Sequence, residues 1–399
     1  MNTTMKSAMA KSATKVAVAC QGGGTHAAFE VGVLSEILKD LEIPKRFDLV
    51  GLSGTSAGAL CAMMVWYGLA PKKGRQGSGS VAEAIEKINT FWDGFAASTP
   101  AEIMQNAFSV AALSAQEQEV PVFGINMPIF GLNPRGVLDD AILWQLRQLG
   151  ARKEYYDFDA MLQAACPEFD DVDWPNVHTR VLLGASEIVN GVETVFDSDG
   201  NIESQDGKHT DPTVTHRWRR RLPLSLHGVA ASGTLPSIRE AEKIDGGYYW
   251  DGLYSQNPPI REFLAGVQKE YVPDEIWVLR INPQQWANPP KTNAEIRDRQ
   301  NELSGNLSLN KELDFILIVN DMIARYGSRH AEEYKPVTVR TIKMTKETAA
   351  KLRTPSKFNR SRSFIDELRE EGRQQAREFL NNWPSPDPEK CYPADAAYN

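Results

Sequence analysis

A serine at the centre of a G-x-S-x-G pentapeptide, Gly54 to Gly58, has the local context of a nucleophile. The mostly apolar residues Phe47 to Leu52 precede it and predict a buried strand. Fourteen uncharged residues, Ala57 to Ala70, follow it, which is enough for about four helical turns. A strand, a tight turn and a helix present such a serine for catalysis, and the helix dipole favours the negative charge of an acyl transition state. The pattern therefore predicts that Ser56 is a nucleophile, with an ordinary strand–helix turn as the alternative.

Three consecutive glycines, Gly22-Gly23-Gly24, could supply a second part of a serine hydrolase. They follow a predicted strand, Thr14 to Cys20, and precede a predicted amphipathic helix. Glycines let the backbone approach a ligand closely, and amide N–H groups at a helix N-terminus can hold a developing oxyanion. A triple glycine also occurs in phosphate loops, but neither Gly-Lys-Ser/Thr nor G-x-G-x-x-G is present here.

The elements that must position these residues alternate as strand, helix, strand, helix, which predicts an α/β fold with a parallel sheet and crossover helices. Further along, Asn190-Gly191 predicts a hairpin, and Glu275 to Ile281 predicts a central strand. Ile296 to Ala324 predicts a helix with a weak interruption near Gly305, and Ser363 to Trp383 an amphipathic one.

Composition narrows the classes of protein that the chain can be. Its 399 residues are 42% hydrophobic and 24% charged, as in globular proteins, and the net charge of −8 argues against nucleic-acid binding. Four scattered cysteines without a C-x-x-C motif predict neither a metal site nor a redox site. Residues 1–13 lack the apolar core of a signal peptide, and Ala57 to Ala70 falls short of the ~20 residues of a membrane span. We therefore expect a cytoplasmic protein.

The motifs together resemble those of the patatin-like phospholipases. That family carries a glycine-rich oxyanion loop, a G-x-S-x-G turn and a distal D-G-G or D-G-A. The same order occurs here as the triple glycine, the Ser56 pentapeptide and Asp251-Gly252, with Ala231 to Pro236 before the last motif and Asn257-Pro258 after it. The resemblance covers residues 14–265 and implies a three-layer α/β/α domain with a mostly parallel central sheet.

The resemblance also implies an activity, that of a serine acyl hydrolase working through an acyl-enzyme. Its catalytic dyad would be Ser56 and Asp251, and its oxyanion hole Gly22, Gly23 and Gly24. It implies no cofactor and no metal. The partner would be an acyl lipid or another acyl ester, with peripheral contact to a lipid surface. Phospholipid, lysophospholipid, neutral ester, thioester and polyester all remain open as substrates.

The sequence departs from the family pattern at two places. His26 and Ala27 stand where the family usually has Lys or Arg and then Gly, and Leu253 stands where Gly or Ala completes the distal motif. Asp245-Gly246-Gly247 is a literal D-G-G, so Asp245 competes for the role of base. We prefer Asp251, because Asn257 follows it at the family's spacing and Ile244-Asp245-Gly246 matches an earlier turn of the family.

Two other functions stay open. One is an α/β-hydrolase with a Ser–Asp–His triad using His330, although only one strand precedes the serine turn and His330 lies in a charged stretch. The other is a lipid-binding or scaffolding module with little turnover. Asp197, Asp199 and Asn201 imitate the start of a calcium loop, but Ile202 and Lys208 occupy positions where such a loop needs Gly and Glu.

The remaining segments complete the predicted organisation. Residues 1–13 form a flexible N-terminus, 266–383 a C-terminal extension with one strand completing the sheet and then helices, and 384–399 a loose tail. The apolar but Pro- and Gly-broken stretch Val120 to Leu132 is either a buried connector or an acyl-chain wall beside the site. The basic run His216 to Arg221 is either a solvated face or a contact to an anionic lipid surface.

Overall fold

One sheet runs through the part of the chain that the computed structural model describes, residues 13–42, 46–117, 158–201, 218–236, 239–286, 288–330 and 334–384. Within those residues the sheet has nine strands. In chain order they are β1 (Thr14–Cys20), β2 (Phe47–Thr55), β3 (Arg180–Glu187), β4 (Val192–Asp197), β5 (Arg219–Pro223), β6 (Glu242–Ile244), β7 (Gly247–Asp251), β8 (Glu275–Arg280) and β9 (Thr338–Lys343).

The strand order is β5-β4-β3-β2-β1-β8-β9, with β7 paired to β3 and β6 paired to β7. The pairs within β3-β2-β1-β8-β9 are parallel, as are β4 and β5. Strand β3 pairs antiparallel with β4, through the hairpin predicted at Asn190-Gly191, and also with β7. The sheet is therefore mostly parallel, and β3 is where its direction changes.

Nine helices accompany the sheet in the described residues. They are α1 (Ala28–Glu42), α2 (Ala57–Leu69), α3 (Val81–Phe95), α4 (Pro100–Glu117), α5 (Phe158–Ala165), α6 (Leu226–Ser232), α7 (Asn293–His330), α8 (Lys346–Lys351) and α9 (Arg362–Asn382). A short 3₁₀ turn, Gly24–Ala27, leads from the triple glycine into α1, and another, Thr354–Phe358, precedes α9. None of these helices is both long enough and apolar enough to cross a bilayer.

The alternation of side chains along β1 separates two hydrophobic layers. Val16, Val18 and Cys20 belong to a large core that includes buried residues of α1, α2, α3 and α9. Ala17 and Ala19 point to the other face, where Leu309, Leu313 and Ile316 of α7 cover the sheet. Helices thus pack on both faces, and the predicted three-layer α/β/α fold is confirmed.

Two strands of residues 266–383 extend the sheet beyond β1. Strand β8 pairs with β1, and β9 pairs with β8 in turn. Helix α9 packs on α1 with the two backbones almost in contact, since a side chain on Gly32 would meet the backbone of Arg369. The segment Val120 to Leu132 lies outside the described residues, as do residues 1–12, His216, Arg217 and the tail from residue 385.

Candidate active site

Ser56 occupies the turn between β2 and α2 in a backbone conformation that few non-glycine residues adopt, with φ 57° and ψ −129°. The flanking glycines make so sharp a turn possible. A Cβ on Gly54 would lie 2.6 Å from the Cα of Ala59, and one on Gly58 would overlap the backbone of Cys20. The predicted strand, turn and helix are therefore present, and they leave the serine strained and projecting.

Helix α6 holds this turn from the side. The amide N–H of Ser56 donates to the backbone oxygen of Ser232 at 3.0 Å and lies 3.2 Å from its Oγ. The Ser232 hydroxyl donates in turn to the backbone oxygen of Gly184 on β3, at 2.6 Å. The conformation of Ser56 is thus tied to the sheet through a residue 176 positions away.

The register of β3 brings Asp251 next to the serine. Along one edge of β3, Gly184 pairs with Thr55, the last residue of β2, and Ala185 pairs with Asp251, the last residue of β7. The opposite edge is taken by β4. Strands β2 and β7 therefore lie end to end along the same edge of β3, with their C-terminal residues next to each other. This arrangement brings Asp251 beside the serine turn.

The carboxyl group of Asp251 is fully buried. Its Oδ1 accepts a 2.8 Å hydrogen bond from the amide of Leu253, while Oδ2 has no hydrogen-bond partner among the described residues. Burial raises the pKa of Asp251 to about 7, and the Ser56 hydroxyl, the Leu253 amide and the charge of Lys357 limit that rise. The free oxygen and the near-neutral pKa suit a group that accepts a proton at physiological pH.

Asp245, the competing aspartate, lies elsewhere. It has a φ of 47° and, with Gly246 at φ 80°, makes the tight turn between β6 and β7. Asp251 is separated from it by the length of β7. The literal D-G-G string is therefore a hairpin turn, and the aspartate that the structure brings to Ser56 is Asp251.

The three glycines connect β1 with the 3₁₀ turn, and Gly22 abuts the serine. A Cβ on Gly22 would lie 2.8 Å from the Cβ of Ser56, and Gly24 has a φ of 59°. The amide of Gly22 already donates to Oδ1 of Asn257 at 2.6 Å. The amides of Gly23 and Gly24 have no acceptor within the described part of the chain. These two are therefore the N–H groups available to an oxyanion.

Two asparagines to which the sequence motifs give no structural role, Asn257 and Asn282, hold the glycine loop. Asn282 follows β8 and donates from Nδ2 to the backbone oxygen of Gly22 at 3.2 Å. Asn257 packs closely against α7. A Cβ on Gly305 of that helix would lie 2.7 Å from Nδ2 of Asn257. Gly305 therefore does not interrupt the helix, as the sequence suggested, but lets α7 approach the loop. The only signal in the sequence was the position of Asn257 six residues after Asp251.

At the first departure from the family pattern, His26 is buried and its Nε2 lies 2.7 Å from Oγ of Ser356. Burial, and secondarily the charge of Lys357, lower the pKa of His26 well below its usual value. His26 is therefore a neutral imidazole at physiological pH. At the second departure, Leu253 contributes its backbone amide to Asp251, an interaction that does not depend on its side chain.

An apolar pocket opens beside the serine. Its cavity volume is about 70 Å³, and aromatic and aliphatic side chains of α2, α3 and α5 form its walls together with Leu235, namely Leu60, Phe91, Trp92, Phe95 and Phe158. Gly24, Ser56 and Lys357 line the same pocket. Such a lining suits the hydrocarbon chain of an acyl group.

The residues that suggested other chemistry lie apart from this site. Asp197 accepts two hydrogen bonds from the buried guanidinium of Arg180, at 3.0 and 2.6 Å, and Asp199 lies 3.1 Å from the same group. Across the described residues, no three His, Cys, Asp or Glu side chains are grouped as metal ligands. His330 is the last residue of α7.

Comparison with known proteins agrees with the motifs. Residues 18–264 match the family model described as patatin-like phospholipase. No curated protein matches the sequence. Among solved structures, VipD from Legionella pneumophila is 13% identical, with a TM-score of 0.37 over 94% of this chain and 67% of VipD. The type III effector protein ExoU is also 13% identical, with a TM-score of 0.30 over 93% of this chain, which spans about half (53%) of ExoU.

Proposed function

This chain belongs to the patatin-like phospholipase family, and we propose that it hydrolyses acyl esters of lipids with Ser56 as nucleophile and Asp251 as base. The observation that carries this proposal is the meeting of β2 and β7 along one edge of β3. It brings a buried carboxyl group with one unpartnered oxygen to a strained, projecting serine. The family membership supports a lipid hydrolase in general, and this geometry supports the specific pair.

The reaction that these residues support has two halves. Asp251 takes the proton of the Ser56 hydroxyl while Oγ forms a bond to the ester carbonyl carbon, and the amides of Gly23 and Gly24 hold the resulting oxyanion. When the tetrahedral intermediate collapses, the alcohol leaves with the proton from Asp251 and Ser56 stays acylated. Asp251 then deprotonates a water molecule, which attacks the acyl carbon. The carboxylic acid leaves and Ser56 regains its proton.

The buried position of Asp251 matters for its strength as a base. An ordinary aspartate is too weak a base to remove a serine proton efficiently near pH 7. Because burial raises its pKa to about 7, Asp251 combines a substantial carboxylate population with a greater affinity for the proton. General-base assistance of this kind contributes ~10²–10⁴ in rate, and one oxyanion donor ~10²–10³.

The apolar lining of the pocket indicates that the acyl side of the substrate is a hydrocarbon chain. Trp92 and Phe95 of α3 and Phe158 of α5 line the same pocket as Ser56. Substrates with such chains reside in membranes or other lipid phases, so we propose that the enzyme works in peripheral contact with a lipid surface. No cofactor enters this scheme.

A fluorophosphonate probe tests the proposal, because it labels only an activated serine. We expect the wild type to be labelled and to hydrolyse short acyl esters, and Ser56→Ala to lose both properties. Ser53→Ala is the control, since Ser53 is a buried serine of β2 three residues before Ser56. Circular dichroism checks folding. A folded wild type that is neither labelled nor active would instead favour a lipid-binding or scaffolding module.

A further inference from the structure

Lys357 lies outside the region that matches the family model, yet it is part of the wall beside Ser56. It belongs to the 3₁₀ turn before α9, and its backbone packs directly on the glycine loop. A Cβ on Gly24 would overlap the backbone oxygen of Lys357 and lie 3.1 Å from its Cβ. The two short turns, Gly24–Ala27 and Thr354–Phe358, therefore form one surface, although more than 300 residues separate them.

The ammonium group of Lys357 is bound only by neutral acceptors among the described residues. Nζ donates to Oδ1 of Asn282 at 3.1 Å and to Oδ1 of Asn301. Asn282 is the residue that also holds the backbone oxygen of Gly22. No carboxylate of the described residues forms an ion pair with Lys357, so a direct partner does not cancel its charge.

The acidic groups around Lys357 are engaged with other residues. Asp298 accepts a hydrogen bond from the backbone amide of Thr354 at 2.7 Å, and the guanidinium of Arg353 lies 3.6 Å from it. Glu302 accepts a hydrogen bond from the indole N–H of Trp286 at 2.7 Å and forms an ion pair with Arg299 at 3.1 Å. Burial lowers the pKa of Lys357 to about 8, and the charges of Glu302, Asp298 and Asp251 oppose that effect. Lys357 therefore carries its charge at pH 7.

The charge of Lys357 lies near His26, the residue at which the sequence first departs from the family motif. The family usually has Lys or Arg where this chain has His26, and His26 is neutral. Lys357 lies close enough to His26 to lower the pKa of its imidazole and close enough to Asp251 to lower the pKa of its carboxyl. A cation thus reaches the glycine loop from the C-terminal region instead of from the loop itself.

We propose that Lys357 is the cationic positioning residue of the oxyanion site, replacing the basic residue that the glycine motif lacks at position 26. Its charge stabilises negative charge at the Gly23 and Gly24 amides, and its bond to Asn282 fixes the orientation of the loop. This inference rests on the proposed acyl hydrolysis. It extends the active site into a part of the chain for which the motifs provide no role.

Lys357→Met and Lys357→Arg, with Lys72→Met as control, test the proposal. Lys72 is buried, but it donates to the backbone oxygens of Ala70 and Tyr67 at the far end of α2, roughly 17–21 Å from Ser56 by helix rise. We expect Lys357→Met to lower kcat by ~10² with little change in KM, because the charge acts on the transition state. Lys357→Arg should recover most of that loss, and Lys72→Met should keep the wild-type kcat.

The pH dependence of kcat/KM separates a charge effect from a structural one. In the wild type we expect an acid limb near pH 7 from Asp251 and an alkaline limb near pH 8 from loss of the Lys357 proton. Lys357→Arg should lose the alkaline limb, because guanidinium stays protonated. Lys357→Met should move the acid limb upward, because the cation that lowers the pKa of Asp251 is gone.

The outcomes distinguish this inference from the proposed function. Labelling of Ser56 in the wild type supports the hydrolase whatever the lysine variants do. A folded Lys357→Met with wild-type kcat overturns the role of Lys357. An alkaline limb that is unchanged in Lys357→Arg, or a wild-type profile without one below about pH 10, does the same. If Lys357→Met does not fold, the wild-type and Lys357→Arg profiles decide.

Discussion

The amide nitrogen of Gly22 donates a 2.6 Å hydrogen bond to Oδ1 of Asn257, between two residues 235 positions apart. This bond ties the start of the glycine loop to the segment that follows Asp251. It also uses the Gly22 amide, so the proposed oxyanion donors are the amides of Gly23 and Gly24. The glycine loop and the segment after Asp251 are therefore connected through one asparagine.

Replacing Asn257 should disturb catalysis without removing any reacting group. Asn257→Leu leaves the Gly22 amide buried and unpaired, which costs ~1–3 kcal/mol and displaces the loop. We expect kcat to fall by ~10–100-fold while Ser56 is still labelled by the fluorophosphonate. Asn320→Leu is the control, because Asn320 clamps the backbone of Val337 in the same way, at 2.8 and 2.9 Å, away from the site. Equal activity losses in the two variants would argue against a role of Asn257 in positioning the loop.

The dyad can be tested against a triad with three substitutions. Asp251→Asn should lower kcat by at least ~10², because an amide cannot accept the serine proton. Asp245→Asn should lower kcat little, since Asp245 forms a hairpin turn. His330→Ala should leave kcat nearly unchanged. Initial rates with circular dichroism as a folding control decide the question. An inactive His330→Ala beside an active Asp251→Asn would make the triad the better description.

The raised pKa of Asp251 should also be visible in protein stability. The native state keeps this proton up to about pH 7, whereas the unfolded chain releases it near pH 4, so the free energy of unfolding falls as pH rises between those values. Above pH 7 the cost of the buried carboxylate is of the order of 4 kcal/mol. Asp251→Asn does not bear this cost, so we expect it to be more stable than wild type at pH 8 and similar at pH 4. Urea denaturation at both pH values measures this, and a variant less stable than wild type at pH 8 contradicts the prediction.

Chelation should not affect the hydrolysis. The carboxylates that imitate a calcium loop, those of Asp197 and Asp199, are bound to the guanidinium of Arg180, and the proposed steps use only Ser56, Asp251 and backbone amides. We expect equal initial rates before and after dialysis against EDTA. A loss of activity that calcium restores would show that an ion takes part.

The local parts of the site are predictable from the sequence because each is a contiguous pattern. The turn at Ser56 follows from two glycines, a strand and a helix within 24 residues. The triple glycine is equally local. Asp251 could not be identified from its own tripeptide alone, because Asp245-Gly246-Gly247 matches the D-G-G motif more literally. What distinguishes the two in space is the pairing of Ala185 with Asp251, which no short pattern encodes.

The parts that escaped prediction are those held by contacts over long sequence separations. Nothing around Lys357 resembles a catalytic motif, and its relation to Gly24 arises only when the C-terminal turn packs on the loop. Gly305 was interpreted as a weak point of a helix, since glycine lowers helix propensity. In the structure, Gly305 allows α7 to approach Asn257, which lies 48 positions earlier in the sequence. Propensity describes a residue's neighbours in sequence and cannot anticipate such a contact.

The close packing of α1 on α9, at Gly32 of the first helix and Gly372 of the second, has a consequence for folding during synthesis. A Cβ on Gly372 would lie 2.9 Å from the backbone carbonyl carbon of Phe29, so α9 covers α1. On the ribosome, the Asp251 segment emerges before α9 by roughly 6–24 s at ordinary synthesis rates, and the Ser56 segment emerges earlier still. We therefore expect the nascent chain to contain the Ser56 and Asp251 segments without being able to close its core, and to stay inactive until α9 has emerged.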